Sequence, residues 1–206
     1  RLEAVEEADV RMIWSRQSEN AKKLADQFSI PSVVDSWEDV VQSSDVDAVI
    51  VSTPPILHCT QTLAGLEAGK HVLCQGRMAC NLKEALEMSA AARASGLVAG
   101  LYPPFPGLKG DRVVRRLLQK EDFVGEIREV RVSGFMFAES RDDYAWQSDP
   151  EVVGVNAMTL GLWAEVLDRW VGPPTMVTAR GKTHTEKRRT ADGYWAEAIV
   201  PDSLAI

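Results

Sequence analysis

No stretch of this sequence approaches the roughly 20 consecutive apolar residues that a membrane-spanning helix needs. The opening RLEAVEEADV also lacks the basic and apolar regions of a signal peptide, so a cytoplasmic chain with no membrane partner is expected. Cysteine is scarce. Cys59, Cys74 and Cys80 are odd in number, show no Cys-x-x-Cys spacing and have no His pair nearby, so free thiols in a reducing compartment are expected, with neither disulfides nor a metal site. Positive charge is short as well: 23 Lys and Arg stand against 30 Asp and Glu, and the net charge of -7 disfavours phosphate backbones and excludes nucleic acid as the main partner. Internal repeats and low-complexity segments are lacking too.

What is there is a strict alternation. With 206 residues and 45% hydrophobic content the chain can bury a core, at a length between one large domain and two modest ones. The strand candidate VRMIW at 10–14 precedes SENAKKLADQF, where Ser18 is placed to cap a helix and Ala21, Leu24, Ala25 and Phe28 share one face. After Pro31 come the short SVV, a brief helix SWEDVVQS behind Ser36, and the apolar strand DAVIVS at 47–52. Beyond Thr53-Pro54-Pro55 lies the helix LHCTQTLAGLEAG, which Gly69 ends and Lys70 is placed to cap. The strand HVLC at 71–74 follows, then a helix from Leu82 with Asn81 and Glu84 at capping-box spacing, then the strand LVAGL at 97–101. Strands apolar on both faces, alternating with amphipathic helices, predict a doubly wound parallel sheet of right-handed crossovers.

At Tyr102 the grammar changes. YPPFPG reads as a proline-rich hinge, followed by the helix LKGDRVVRRLLQK and by GEIREVRVSGFMF, whose Ile127, Val130 and Val132 suggest a long antiparallel strand. The apolar helix VNAMTLGLWAEVLDRWVG at 155–172 is stopped by Gly172-Pro173-Pro174, and TMVTARGKT resumes as a strand, while EKRR at 186–189 reads as a solvated loop. The predicted division is a dinucleotide-binding domain of Rossmann type over residues 1–102 and a second α/β domain with a mostly antiparallel open sheet over 103–206. Arg1 opens inside a polar segment that leads straight into a strand, and DSLAI closes without a turn, so the chain reads as an internal fragment with its first strand upstream.

Ligands of an open α/β sheet lie beyond the carboxyl ends of its strands. That rule selects four loops: Ser15-Arg16, Thr53-Pro54-Pro55, Gln75-Gly76-Arg77 and Tyr102-Pro103-Pro104. A Gly-rich turn after the first strand is the expected fifth element, and it is placed before Arg1, because Ser15-Arg16 stands where a ribose-reading residue follows such a turn by about 20 residues.

The blocks DVDAVIVSTPPILH at 45–58, GLEAGKHVLC at 65–74, FVGEIREVRV at 123–132 and LDRWVG at 167–172 resemble the Gfo/Idh/MocA family of nicotinamide-dependent sugar and polyol oxidoreductases, over nearly the whole chain. The resemblance implies NADP or NAD held between an N-terminal Rossmann domain and a C-terminal α/β domain. It also implies a small-molecule substrate and a homo-oligomer, since the open sheet of the second domain commonly serves as a subunit interface. The departures bear on chemistry. Where most members carry Glu-Lys-Pro after HVLC, this chain has Gln75, Gly76 and Arg77, and where an Asp-x-Gly-x-His pattern is common it has Thr159, Gly161 and Trp163. Losing a positioned general acid or base costs on the order of 100-fold to 10,000-fold in rate.

Two functions remain open on these residues: an active oxidoreductase, or a non-catalytic relative that binds a nucleotide, a sugar or a partner. In the first, Arg77 orients and polarises a substrate oxygen with its rigid fork of donors, Thr159 helps hold that oxygen, and the proton acceptor is unassigned because a guanidinium cannot accept a proton at neutral pH. Arg16, in place of the acidic residue that favours NAD, is suited to a 2′-phosphate and hence to NADP; otherwise it is an exposed helix-start arginine. The resemblance places Ser15, Arg16, Thr53, Pro54, His58 and Gln75 along the cofactor. For Thr53 and Pro54 the alternative is a helix-entry turn, and for His58 a structural histidine. Tyr102 faces the substrate, as do Asn156 and Trp163, which share a helical face with Thr159, although helix packing explains Trp163 equally well. Cys74 and Cys80 read as small buried apolar groups.

Overall fold

The structure, a computed structural model, describes residues 5–102, 108–135, 143–154 and 160–206, apart from the side chain of Leu162. The chain forms two compact units, one of Arg1–Thr53, Leu57–Met78 and Leu82–Tyr102, the other of Pro54–Ile56, Ala79–Asn81 and Pro103–Ile206.

The first unit runs β1 (Met12–Ile13), α1 (Ser18–Phe28), β2 (Ser32–Val33), α2 (Trp37–Gln42), β3 (Ala48–Val51), α3 (Pro55–Glu67), β4 (His71–Gln75), α4 (Leu82–Ser95) and β5 (Ala99–Tyr102). Every pairing within it is parallel: β1 with β2, and β3, β4 and β5 side by side, with Val51 opposite Cys74 and Gln75 opposite Tyr102. A cleft of about 600 Å³ opens between β1 and β3, lined by Met12, Trp14, Trp37, Val49, Val51 and Thr53 among others.

Local signals account for most of these elements. The α2 helix starts with a capping box in which the Asp39 amide donates to Ser36 Oγ and the Ser36 amide donates back to the Asp39 carboxylate. At α1 the expected Ser18 cap is corrected. Gln17 holds the N-cap position without a side-chain hydrogen bond, because Ser18 already has helical geometry. Only Ala21 and Ala25 of the predicted face are buried, while Leu24 and Phe28 stay 40% and 42% exposed. The Lys70 cap is corrected as well, since its ammonium donates to the carbonyl of Ser43, the residue that ends α2, and not to its own preceding helix.

Burial alternates along the central strands. Val49, Val51, Val72 and Cys74 are buried, but Ile50 and Leu73 on the opposite face are 45% and 39% exposed, so the apolar runs are covered on one side and not on both. On the covered side α3 lies close: a Cβ on Gly65 would come 2.9 Å from Val72 Cγ2. The Cys59 thiol donates to the Glu84 carbonyl at 3.8 Å, which joins α3 to α4 on that face, as right-handed crossovers require.

The second unit contains α5 (Asp111–Gln119), a 3₁₀ turn at Trp146–Ser148, α6 (Pro150–Val153), α7 (Leu160–Val171), β6 (Arg180–Lys182), β7 (Lys187–Arg189), β8 (Trp195–Glu197) and β9 (Ser203–Ala205). Its strands pair antiparallel, β6 with β9 and β7 with β8. Helices α5 and α7 are pinned where Trp170 Nε1 donates to the Asp111 carboxylate at 2.9 Å and Gln119 Nε2 donates to the Arg169 carbonyl at 2.7 Å. Asp149 caps α6 through the Glu151 amide, and Pro150 fills the first helical turn, where its missing N–H costs nothing.

Two expectations are overturned here. Residues 126–135 form no ladder, and Ile127, Val130 and Val132 are 40%, 45% and 39% exposed; alternation marks an amphipathic strand, but a strand needs a neighbour. EKRR is not a loop, because Lys187–Arg189 pairs with β8, with the Arg189 guanidinium 5.4 Å from the centre of the Trp195 ring. DSLAI supplies β9. Burial tends to raise the Asp202 carboxyl, yet the His184 and Thr185 amides that donate to it, with Arg188 beside it, hold it below the usual carboxylate range. No helix among the described residues is long and apolar enough to cross a membrane.

Candidate functional site

Polar loops follow the carboxyl ends of β1, in the two-stranded parallel sheet, and of β3, β4 and β5, in the three-stranded one. At the end of β1, Ser15 Oγ accepts the Gln17 amide at 3.3 Å and Arg16 is exposed next to the first turn of α1. No side chain caps that turn.

At the end of β3 the Thr53 turn is closed from inside. The Thr53 hydroxyl donates to Gln61 Oε1 at 2.8 Å, and Gln61 is 4% exposed. His58, 2% exposed, lies one helical turn earlier on α3 with Nε2 2.6 Å from the Thr53 carbonyl oxygen and Nδ1 2.7 Å from that of Arg77. A neutral ring donates to one of these oxygens and a doubly protonated ring to both. Either way His58 bridges the loop after β3 to the loop after β4, and both ring nitrogens are engaged by backbone.

After β4, Gln75, Gly76 and Arg77 are half-buried, the Gly76–Arg77 peptide is cis, and the Gly76 amide donates to the Tyr102 carbonyl at 2.6 Å. Ser52, Gln75 and Tyr102 form a polar row. Gln75 pairs with Tyr102, and Ser52 continues the register of β3 by one residue past the Val51–Cys74 pair, so all three project from the face opposite Val51 and Cys74. The Ser52 and Tyr102 hydroxyls meet at 2.8 Å. On the other face, burial pushes the Cys74 thiol up to about 11, so it stays a neutral thiol at physiological pH.

The structure thus brings Ser15, Arg16, Thr53, His58, Gln75, Arg77 and Tyr102 to the strand ends of one unit. Pro54, just before α3, and Trp163, on α7, belong to the second unit. Trp163 is half-buried there over Gly134, whose Cβ, if present, would lie 2.6 Å from Trp163 Nε1, so packing accounts for the position of that ring. Asn156 and Thr159 lie outside the described residues. Sequence reasoning missed Ser52 and Gln61. Gln61 carried a usable signal, since it falls three residues after His58 on the same helical face. Ser52 carried none, because its partner is 50 residues away. Among the described residues no group of His, Cys, Asp and Glu could hold a metal ion, and all three cysteines are free.

Residues 2–102 match the sequence profile of the family described as "Oxidoreductase family, NAD-binding Rossmann fold". The 1,5-anhydro-D-fructose reductase of Ensifer adhaerens is 45% identical over 92 residues, covering 45% of this chain and 28% of that protein. The scyllo-inositol 2-dehydrogenase (NADP(+)) of Bacillus subtilis is 28% identical over 188 residues, 86% of this chain and 55% of that one. The chain therefore spans between about a quarter and just over half the length of these two curated relatives. Among solved structures, an oxidoreductase domain protein from Kribbella flavida superposes with a TM-score of 0.80 at 23% identity, covering 95% of this chain and 54% of that one. At that identity the likeness speaks for the fold, and it extends over the antiparallel second unit as well as the parallel first. With its parallel sheet, its strand-end loops and the profile match over residues 2–102, the chain belongs to the Gfo/Idh/MocA oxidoreductase family.

Proposed function

We propose that the protein is an NAD(P)-dependent oxidoreductase that moves a hydride between the cofactor and a sugar-like or polyol-like substrate. The observation that carries this reading is the polar row Ser52, Gln75 and Tyr102 at the carboxyl edge of a parallel sheet in a chain of this family. Residues of this chain suit the two ends of a dinucleotide. Arg16 and the uncapped start of α1 suit the ribose and its phosphate, and Gln75 the nicotinamide end. Thr53 and His58 serve indirectly by holding the turns in place, because their polar groups bond inward. The nicotinamide supplies or takes the hydride. Arg77 is assigned to the substrate oxygen; Thr159, Asn156 and Trp163 are the sequence-based candidates for contact with the substrate, and Pro54 for contact with the cofactor. The curated relatives favour a carbohydrate or cyclitol: one is a reductase of an anhydrosugar, the other a dehydrogenase of an inositol.

Titrating the protein with NADPH and NADH by nicotinamide fluorescence tests the reading. NADPH should bind more tightly than NADH, and Arg16→Ala should erase that preference, since a charge-assisted bond contributes about 1.5 to 3 kcal/mol, roughly 10-fold to 150-fold in affinity. Failure to bind either cofactor at millimolar concentration would leave the Rossmann unit as a non-catalytic recognition module, the reading favoured by the absence of any side chain at Gly76.

A further inference from the structure

Ser52 and Tyr102 stand at the ends of β3 and β5, with β4 between them. Neighbouring strands lie about 4.8 Å apart, so β3 and β5 are separated by roughly 10 Å. For the two hydroxyls to meet at 2.8 Å, the Tyr102 side chain must cross the end of β4 at Gln75. The Gly76 amide, donating to the Tyr102 carbonyl at 2.6 Å, holds the end of β5 against the end of β4. The phenol thus reaches across the segment where the resemblance expects a lysine. Among the described residues, the titratable side chains next to this pair are unsuited to proton transfer: Arg77 cannot release its proton, His58 has both nitrogens on carbonyl oxygens, and the Cys74 thiol is buried on the opposite face. A hydroxyl pair open to water adds little to stability, whereas a phenol able both to donate and to accept, hydrogen-bonded to a second hydroxyl, is a proton path.

We infer that Tyr102 is the catalytic acid and base of the reaction and that Ser52 is its positioning partner; this rests on the oxidoreductase reading above. In the reducing direction a substrate carbonyl carbon gains the hydride, which leaves the nicotinamide oxidised, and the carbonyl oxygen takes the proton of Tyr102 Oη. The C=O bond becomes a CH–OH group, and the Tyr102 phenolate regains a proton from water through the Ser52 hydroxyl. In the oxidising direction each transfer reverses.

The test uses the full chain with NADPH and a panel of keto-sugars that includes 1,5-anhydro-D-fructose, comparing Tyr102→Phe and Ser52→Ala with the parent. Tyr102→Phe should lower kcat/KM on the order of 100-fold to 10,000-fold and remove one limb of the pH profile. The NADPH dissociation constant, read by fluorescence without turnover, should stay within about 3-fold of the parent value, which also shows that the variant is folded. Ser52→Ala should give a smaller fall in kcat at little-changed KM, and Ser52→Thr, which keeps the hydroxyl, should recover the rate. A parent that binds NADPH and turns over, beside a Tyr102→Phe variant within about 3-fold of it, would overturn the inference while leaving the oxidoreductase reading intact. A Ser52→Ala variant with the kcat of the parent would overturn the positioning role of Ser52. A parent that neither binds cofactor nor reduces any member of the panel would remove the reading and the inference together.

Discussion

Replacing His58 with Phe keeps a flat ring of similar size at a position that is 2% exposed, and removes both nitrogens. The ring now bridges the Thr53 carbonyl oxygen at 2.6 Å and the Arg77 carbonyl oxygen at 2.7 Å, so the substitution deletes one hydrogen bond if the ring is neutral and two if it is doubly protonated. A buried carbonyl left without a donor costs about 1 to 3 kcal/mol. Thr53 and Arg77 are themselves only half-buried, so water reaches part of the released oxygen and a total near 2 kcal/mol is expected. With a urea dependence of about 1 to 3 kcal/mol per molar, that is a midpoint lower by about 1 M at unchanged slope. The loops after β3 and β4 are no longer tied, so nicotinamide binding should weaken along with stability. Urea unfolding followed by circular dichroism, paired with the NADPH titration, measures both. An unshifted midpoint together with unaltered binding would refute the bridging role and leave His58 as a space-filling ring.

Two further outcomes follow from single positions. Gly154 has φ of 70° and ψ of 174°, and a Cβ there would lie 2.2 Å from the backbone oxygen of Cys80; Gly154→Ala therefore combines a conformation open mainly to glycine with an overpacked contact, and should lower the stability of the second unit by roughly 2 to 6 kcal/mol in thermal unfolding. Burial raises the Cys74 thiol from its ordinary 9.0 to about 11. The folded state then keeps a proton that the unfolded state releases, so this contribution is complete below about pH 9 and is lost as pH climbs through 11. Unfolding midpoints measured from pH 8 upward should decline less steeply in Cys74→Ala than in the parent, and Cys74 should resist alkylation at pH 8 until urea is added, readable by mass spectrometry.

What was legible in the sequence is what short-range physics determines. The capping box at Ser36 and Asp39 needs residues three apart, and the alternation of apolar strands with helices declares a parallel sheet, the kind whose ligands sit beyond the strand ends. From these alone Ser15-Arg16, Thr53, Gln75-Gly76-Arg77 and Tyr102 were selected, and the family resemblance marked Gly76 as the place of the absent lysine. Tertiary structure decided the rest, because it depends on register and packing across dozens of residues. Whether GEIREVRV found a partner strand, whether EKRR joined a ladder, and which helix end Lys70 capped were choices among long-range partners that no local pattern distinguishes. His58 looked equally suited to a ligand and to the interior until its two nitrogens were found on the carbonyls of Thr53 and Arg77. The meeting of Ser52 with Tyr102 required three strands in register, a juxtaposition that only the folded chain could make.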